Sequence, residues 1–263
     1  MTRIVVLMYH ALYASASELD AIDAADRPYA VSLESFRQQL DRLARAQIPV
    51  VDPTTPPTTG KGVIFSFDDG HVSNHRLAFP SLRERNWPGL FFVTTDFVGR
   101  RPGFCSWEQL REMGKSGMHI GSHCRTHRFL DDLPDAEVKA EFQDSRRAIE
   151  NGTGRPTTWV SFPGGRYRQE HLALGRAAGF ELFFSSEVGL NDAQAFESGA
   201  VVRRVAVRAT TSLERFADIA SGSRAHFFRA QAVARVKRKV RGVLGNRMYQ
   251  ALYEGWGRVR TRP

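Results

Sequence analysis

The sequence predicts an α/β protein in which a parallel (β/α) barrel is followed by a basic helical tail. Seven short apolar segments have the length and composition of strands, and helical patterns separate several of them. Such alternation is typical of parallel β/α units. The predicted strands are 4–9, 63–67, 90–94, 118–121, 158–162, 182–185 and 201–207.

Four stretches carry helix signals. Residues 32–47 place apolar side chains at helical spacing, and residues 106–115 begin with a capping box formed by Ser106 and Gln109. The other two predicted helices are 133–150 and 211–220.

The length of 263 residues suits one barrel, because no Pro-, Gly- or Ser-rich linker divides the middle of the chain. We therefore predict a barrel domain at 1–222 and a basic amphipathic helix or tail at 223–263. No apolar run approaches the roughly 20 residues of a membrane-spanning helix. The first residues enter a strand without a signal-peptide pattern, and the cysteines, Cys105 and Cys124, form no disulfide framework. These features favour a cytoplasmic protein.

The net charge of +9 is concentrated at the C-terminus. Residues 224–263 hold 11 Arg and Lys against the single acid Glu254, whereas the remainder has 26 basic and 27 acidic residues. The tail is interpreted either as a helix that packs its apolar stripe on the barrel or as a peripheral contact with an anionic membrane at its inner face. Nucleic acid is not expected as a partner, since no stacking aromatic array accompanies the charge.

Two adjacent carboxylates, Asp68 and Asp69, directly follow the second apolar segment. Neighbouring anions repel each other unless a cation or a shared proton compensates them, so a metal ion or a raised pKa is expected. A helix N-cap and turn would explain one aspartate but not both. His123 and His127 follow the fourth segment, and they are either hydrogen-bonded loop histidines or ligands of the same ion.

One aspartate and two imidazoles would leave open coordination positions at which water is polarised. On ligand type, Zn²⁺ is the leading candidate, with Fe²⁺, Co²⁺ or Ni²⁺ as alternatives. Cys124 is a weak alternative ligand, although a small packed thiol is the simpler interpretation.

Further candidates also stand after predicted strands. His10 is either a buried core histidine or a general acid. The Pro163-Gly164-Gly165 turn, with Arg166 and Tyr167 after it, is either a simple turn or a substrate and oxyanion site, since glycines let backbone N–H groups approach a ligand. In a (β/α) barrel the carboxyl ends of the strands share one face, so a single pocket is predicted.

Three motifs in this order resemble the polysaccharide deacetylases, that is, carbohydrate esterase family 4 or the NodB homology domain. They are Phe65-Ser66-Phe67-Asp68-Asp69-Gly70, His123-Cys124-Arg125-Thr126-His127 and Phe162-Pro163-Gly164-Gly165, and the resemblance spans about residues 4–208. It implies a distorted, partly open, TIM-like barrel of about seven strands. It also implies that Asp68 is the general base, while Asp69, His123 and His127 hold the metal.

The family's late Leu-x-His element is not visible after residue 208. Leu7-Met8-Tyr9-His10 instead resembles that element moved to the front, as in the circularly permuted poly-N-acetylglucosamine deacetylase branch, which would make His10 the general acid. Ser161 stands where the family commonly has an arginine. Proximity suggests Arg166 as the source of the missing guanidinium.

The resemblance implies a hydrolase that removes N-acetyl or O-acetyl groups from a poly- or oligosaccharide, with metal-bound water as nucleophile. Two alternatives remain from the sequence. One is a metal-dependent amidase for a non-sugar amide, and the other is a catalytically silent carbohydrate-binding or membrane-associated barrel.

Overall fold

A computed structural model of the chain describes residues 2–197, 199–229, 231 and 232. The chain divides into two compact units, Met1–Ser223 and Arg224–Pro263. Most of the second unit lies outside the described residues, so the predicted tail helix stays a prediction. None of the helices in the described ranges is both long and apolar enough to cross a membrane.

The first unit contains the following elements. Its described strands are β1 (Arg3–Tyr9), β2 (Leu12–Tyr13), β3 (Val31–Ser32), β4 (Lys61–Phe67), β5 (Leu90–Val93), β6 (His119–Ser122), β7 (Trp159–Ser161), β8 (Leu182–Phe184), β9 (Val201–Val202) and β10 (Val205–Ala206). Its described α-helices are α1 (Ala16–Asp20), α2 (Leu33–Arg45), α3 (Phe79–Arg83), α4 (Trp107–Lys115), α5 (Asp135–Thr153), α6 (Gln169–Ala177), α7 (Gln194–Glu197) and α8 (Leu213–Ala220). Short 3₁₀ turns occupy Arg27–Tyr29, Leu130–Asp132 and Pro163–Gly165, and a π-helical turn occupies Asn74–Ala78.

Eight parallel strands form one sheet in the order β10-β1-β4-β5-β6-β7-β8-β9, and β2 pairs with β3 separately. The sheet curls into a distorted, partly open (β/α) barrel, as predicted. The sheet has eight strands, where about seven were predicted. The segment 201–207 forms two strands, because the chain leaves β8 after Val202 and joins β1 at Val205.

The two faces of the strands bury different side chains, as the period of two requires. Ile4 of β1 and Ile64 of β4 point inward and join Phe92 and Phe184 in the barrel interior. Tyr9 points outward and stacks on Phe67 at a ring-centroid distance of 5.4 Å. Each such burial contributes about 1.5–3 kcal/mol relative to an exposed side chain. The interior is therefore a packed apolar layer.

The predicted helices are confirmed, with shifted ends. In α2, the side chain of the N-cap residue Ser32 accepts a hydrogen bond from the Ser35 amide at 3.1 Å. In α4 both bonds of the capping box are present: the Gln109 amide donates to Ser106 Oγ at 3.3 Å and the Ser106 amide donates to Gln109 Oε1 at 2.8 Å. α5 continues three residues beyond the predicted end and stops at Gly154, whose φ of +70° favours glycine.

The gap between the first and last strands is crossed by two connections. Arg203 and Arg204 link β9 at one edge of the sheet to β10 at the other. Asn191, from the loop after β8, exchanges two backbone hydrogen bonds with Ile4, at 2.8 and 3.0 Å. The edges are thus held close together, which places the side chain of Arg204 inside the barrel.

Candidate active site

The aspartate pair lies where β4 ends. The Asp68 amide donates to the Tyr9 carbonyl at 2.9 Å and extends the pairing of β1 with β4 by one residue. Asp69 and Gly70 then take the left-handed conformation, with φ of +75° and +81°. A Cβ on Gly70 would stand 3.0 Å from a Val93 methyl, so the tight turn requires glycine here. The turn separates the two carboxylates and gives them different neighbours.

Asp68 points into the barrel and binds Arg204. Arg204 Nη1 and Nη2 each donate to one carboxylate oxygen of Asp68 at 2.7 Å. Arg204 is fully buried, and its remaining N–H groups bind the Ser185 carbonyl, Ser66 Oγ and Ser161 Oγ. All five donors of the guanidinium are used, which is the condition under which a buried charge pair is tolerated.

The charge of Asp68 is stabilised by this arrangement. Burial alone would raise the pKa of Asp68, but the guanidinium of Arg204 outweighs it and lowers the pKa below its usual value. Ser161 Oγ lies 3.3 Å from Asp68 Oδ2 and donates to it. Asp68 is therefore an ionised carboxylate whose orientation is fixed by Arg204 and Ser161.

Arg166 does not provide the guanidinium for Asp68, so that prediction was wrong. Its Nε lies 2.8 Å from Asp131 Oδ1, its Nη2 lies 2.6 Å from Asp132 Oδ1, and its Cζ stands 4.4 Å from the centre of the Phe129 ring. These contacts direct the side chain toward the loop before α5. Arg166 holds that loop to the Pro163–Gly165 turn.

The second aspartate faces the two predicted histidines. Asp69 Oδ1 lies 3.4 Å from His123 Nε2 and 3.2 Å from His127 Nε2, and one ligand atom from each of the three residues falls within 4.8 Å of the others. Asp69 Oδ1 is buried and has no hydrogen bond among the described residues. A carboxylate oxygen and two imidazole nitrogens directed at one point match the donor set of a transition-metal ion, so the residues fit such an ion.

His123 is prepared as a ligand by its surroundings. Its Nδ1 lies 3.0 Å from the Ser161 carbonyl, which only accepts, so Nδ1 carries the proton and Nε2 presents a lone pair toward Asp69. Burial lowers the pKa of His123 to about 4, although Asp68 and Asp69 oppose the shift. The ring is neutral at physiological pH, as metal ligation requires.

The loop that carries the histidines is held by Glu141 of α5. Glu141 Oε2 accepts from the Arg125 and Thr126 amides at 2.7 and 2.9 Å, and Oε1 accepts from Thr126 Oγ1 at 2.6 Å. His127 takes a φ of +67° in this loop. A buried carboxylate that binds two consecutive amides fixes the unusual backbone path, and hence the direction of His127.

Cys124 is not part of the metal group, the name used here for Asp69, His123 and His127. It packs with Leu130, Val138 and Phe142 in the apolar cluster beside α5, and its amide donates to Ser122 Oγ at 2.9 Å. Burial raises the pKa of this thiol well above its usual value. The interpretation of Cys124 as a weak alternative ligand was therefore wrong, and the residue is a neutral packed thiol. Cys105 is likewise a buried free thiol.

His10 lies at the same level as the aspartates. It follows the Tyr9–Phe67 pair of β1 and β4, as Asp68 does on the neighbouring strand. Asn74, in the π-helical turn, donates to the His10 carbonyl at 2.7 Å. The predicted role of His10 as a general acid stays a prediction.

The Pro163–Gly165 turn stands beside Ser161. Gly164 and Gly165 have φ of +62° and +67°, and an added Cβ would meet the Phe129 ring or Ser186 at 2.6–2.7 Å. The Gly165 amide donates to the Phe162 carbonyl and the Arg166 amide to the Pro163 carbonyl, so both are used inside the turn. Tyr167 stacks on Phe162 with ring centroids 4.5 Å apart. The predicted substrate and oxyanion role of this turn stays a prediction.

Sequence reasoning missed Arg204 and Glu141. Arg204 follows another arginine inside an apolar run, and a charged pair within a predicted buried strand was the available signal. Glu141 looked like an ordinary helical glutamate, and only the fold shows that it binds the amides of Arg125 and Thr126.

Fold and site together define a parallel barrel with a candidate metal centre beside a guanidinium-bound carboxylate. Residues 55–183 match the family model described as Polysaccharide deacetylase. The structure of IcaB from Ammonifex degensii is similar, with a TM-score of 0.71, 30% identity, and coverage of 83% of this chain and 97% of that one. The chain belongs to the polysaccharide deacetylase family.

Two other proteins are similar. The structure of the Streptococcus pyogenes deacetylase PplD matches with a TM-score of 0.70 and 22% identity over 81% of this chain and 96% of that one, which supports the fold. The curated protein YxkH of Bacillus subtilis (strain 168) is 30% identical over 129 residues, or 49% of this chain. That match spans about half the length of YxkH, 46%. Members of this family are deacetylase hydrolases, and the family implies an acetylated glycan as substrate.

Proposed function

We propose that this protein is a metal-dependent hydrolase that removes acetyl groups from N-acetylated or O-acetylated sugars of a poly- or oligosaccharide. The observation that carries the proposal is the pairing of an ionised, arginine-bound Asp68 with the Asp69, His123 and His127 group beside it. An anchored carboxylate next to a three-residue metal group supplies both a base and a Lewis-acid site.

Asp69, His123 and His127 would hold the metal ion. On ligand type the leading candidate is Zn²⁺, with Fe²⁺, Co²⁺ or Ni²⁺ as alternatives. When bound, such an ion lowers the pKa of a coordinated water and polarises a carbonyl oxygen. The remaining positions around it would be open to water and substrate, because the protein offers three ligand atoms.

Asp68 would act as the general base. Its carboxylate is held on one side by Arg204 and Ser161, and His123 Nε2 lies 4.0 Å from Asp68 Oδ2 on the metal side. A water that attacks the acetyl carbon would pass a proton to this carboxylate as the new C–O bond forms. The low pKa of Asp68 keeps it ionised and ready to accept.

His10 would act as the general acid, donating a proton to the sugar nitrogen or oxygen as its bond to the acetyl carbon breaks. The products are acetate and a free amine or hydroxyl. A positioned acid or base typically accelerates such a reaction by about 10²- to 10⁴-fold.

Acetate release from acetylated glucosamine oligosaccharides, with and without chelator, tests the proposal. We expect Asp68→Asn to abolish release while metal content is retained, and Asp69→Asn to lose the metal as well. Asp52→Asn is the matched control, since Asp52 binds His119 at the opposite end of β6. Full activity in Asp68→Asn, or in metal-free protein, would contradict the assignment.

The charge distribution supports a further part of the proposal, that the protein acts in the cytoplasm and touches an anionic membrane through residues 224–263. That segment holds 11 Arg and Lys and one acid, and each basic residue near an anionic surface contributes about 1 kcal/mol. Sedimentation with phosphatidylserine vesicles at low salt, lost at high salt, is expected. A chain that ends at residue 223 and sediments equally would contradict this role.

A further inference from the structure

We infer that Tyr29 and Arg208 form a stack that positions His10 for proton donation. This inference rests on the proposed function, in which His10 is the general acid. Tyr29 lies in the 3₁₀ turn between α1 and β3, and Arg208 follows β10, which pairs with β1 at one edge of the barrel sheet.

The contacts run from Arg208 through Tyr29 to His10. The Tyr29 ring stands 4.9 Å from the His10 ring, tilted by 44°. Arg208 Cζ lies 4.6 Å from the centre of the Tyr29 ring, and Arg208 Nη2 donates to the Tyr29 hydroxyl at 3.1 Å. A cation over an aromatic face and a hydrogen bond to its hydroxyl both restrain the ring.

The backbone on both sides holds this stack in place. Tyr29 closes a 3₁₀ turn in which its amide donates to the Asp26 carbonyl at 2.9 Å. The Ala209 amide donates to the Pro28 carbonyl at 3.1 Å, which joins the loop after β10 to this turn. The Arg208 amide donates to Thr211 Oγ1 at 3.0 Å. The position of Tyr29 is therefore determined by two loops and not by its own side chain alone.

His10 depends on such packing for its orientation. Its Nδ1 is buried without a hydrogen-bond partner among the described residues, and Asn74 binds its backbone carbonyl but not its ring. A metal-ligating or catalytic imidazole is commonly fixed by a hydrogen bond to its second nitrogen. In this protein the contact with Tyr29 replaces that hydrogen bond, because it limits rotation of the His10 ring about its bond to Cβ.

Orientation matters because the donor must lie within hydrogen-bond reach of the leaving atom. A ring that rotates freely spends only part of its time in the productive geometry, which lowers kcat and leaves substrate binding unchanged. Tyr29 and Arg208 are thus positioning residues and not catalytic residues, since they act through His10.

The test compares kcat on two substrates with different needs for an acid. An N-acetylated glucosamine oligosaccharide has a poor leaving group that must be protonated, whereas 4-nitrophenyl acetate releases a stable anion that needs no proton. We expect Tyr29→Ala to lower kcat on the oligosaccharide by about 10- to 100-fold and on the ester by less than about 2-fold, because only the acid step is lost. Tyr29→Phe keeps the ring and should retain kcat within about 3-fold on both substrates.

A double-variant cycle gives an independent measurement on the oligosaccharide alone. If Tyr29 acts through His10, Tyr29→Ala should lower kcat by less than about 2-fold when it is added to His10→Ala. Arg208→Gln removes the cation from the stack without changing Tyr29, and a smaller but selective loss on the oligosaccharide is expected. If circular dichroism shows that Tyr29→Ala is not folded, the test is made with Arg208→Gln instead.

Several results would overturn the inference. Equal losses on both substrates would mean general damage to the site, and a change in KM alone would mean that Tyr29 contacts the glycan. Additive losses in the double variant would mean that Tyr29 acts independently of His10. Wild-type protein that releases no acetate in the presence of metal would instead reject the proposed function itself, so the two failures are distinguishable.

Discussion

Arg204 and Asp68 are joined by two parallel hydrogen bonds of 2.7 Å, although 136 residues separate them in the sequence. Both side chains are buried, and the guanidinium has no unused donor. A bidentate pair fixes both the position and the plane of the carboxylate. The Asp68 carboxylate is thus oriented by a residue of the connection between β9 and β10, the two edge strands of the sheet.

Arg204→Met should be strongly destabilising, because it leaves the carboxylate of Asp68 buried without a counter-charge. Removing one partner of a buried pair typically costs about 3–5 kcal/mol in the free energy of unfolding. Urea denaturation measures this loss. Arg204→Lys should also lose most acetate release, since an ammonium group cannot donate to both oxygens in one plane.

A double variant separates two causes of lost stability, the unpaired charge of Asp68 and the changed side chain at position 204. Asp68→Asn combined with Arg204→Met removes both charges, and we expect it to be more stable than Arg204→Met alone. If the double variant is less stable by the sum of the two single changes, the pair does not behave as a coupled unit and the explanation fails.

Glu141→Gln should weaken metal binding without touching a ligand. The Glu141 carboxylate accepts hydrogen bonds from the backbone amides of Arg125 and Thr126. The side-chain NH₂ of a glutamine would face these N–H donors and could not accept from them. We expect a loss of about 1–3 kcal/mol in stability and of about 10- to 100-fold in metal affinity, measured by titration with Zn²⁺.

Glu137→Gln, on the same helix, is the control for that change. Glu137 is half exposed and pairs with Arg128 at 2.6 Å, so its loss should cost at most about 1 kcal/mol. Equal metal affinity in the two variants would show that the bonds to the loop do not position His127.

Gly165→Ala should disturb the turn beside Ser161 for two reasons. Its φ of +67° disfavours alanine by about 1–2 kcal/mol, and the added Cβ would stand 2.6 Å from Ser186. Gly154→Ala has nearly the same φ, +70°, but no atom within 4 Å of the new Cβ. The difference in the free energy of unfolding between the variants, from thermal melts, therefore measures the close approach and is expected at about 1–3 kcal/mol. Identical Tm values would mean that the turn moves away freely.

Asp52→Asn should reduce stability near neutral pH but not in acid. Partial burial would raise the pKa of Asp52, but hydrogen bonds from His119 and Thr54 outweigh it and lower the pKa to about 2. Because the pKa is lower in the folded state than the unfolded value of about 3.9, this contribution is present above pH 4 and is lost as the pH falls toward 2. Thermal melts from pH 7 to pH 2 should show the two Tm curves converging. Parallel curves would exclude the assignment.

The sequence was sufficient to predict the convergence of Asp68, Asp69 and the two histidines. They follow strands β4 and β6 directly, and the carboxyl ends of parallel strands meet on one face whatever the helices between them do. The strand alternation and helix caps were likewise local signals, and the structure confirms them. The place of His10 after β1, the neighbour of β4, was predictable for the same reason, whereas its role as a general acid stays a prediction.

Arg204 could not be assigned because its contact is not local. Residues 201–207 look like one continuous strand, and only the closing of the sheet divides them and directs Arg204 inward. Arg166 was the wrong candidate because it is near Ser161 in sequence, while the left-handed Gly164 and Gly165 direct it to Asp131 instead. A turn can reverse the direction of a side chain within two residues, so closeness in sequence does not predict which group that side chain contacts.

The route of the chain from β9 to β10 also sets the order in which the site is completed during translation. The ribosome produces Asp68 long before Arg204, and until the last strands emerge the nascent barrel has no cation to accompany its buried carboxylate. Prematurely terminated products that stop before residue 204 would therefore lack the guanidinium that orients Asp68. This orientation is available only once the last strands have been synthesised.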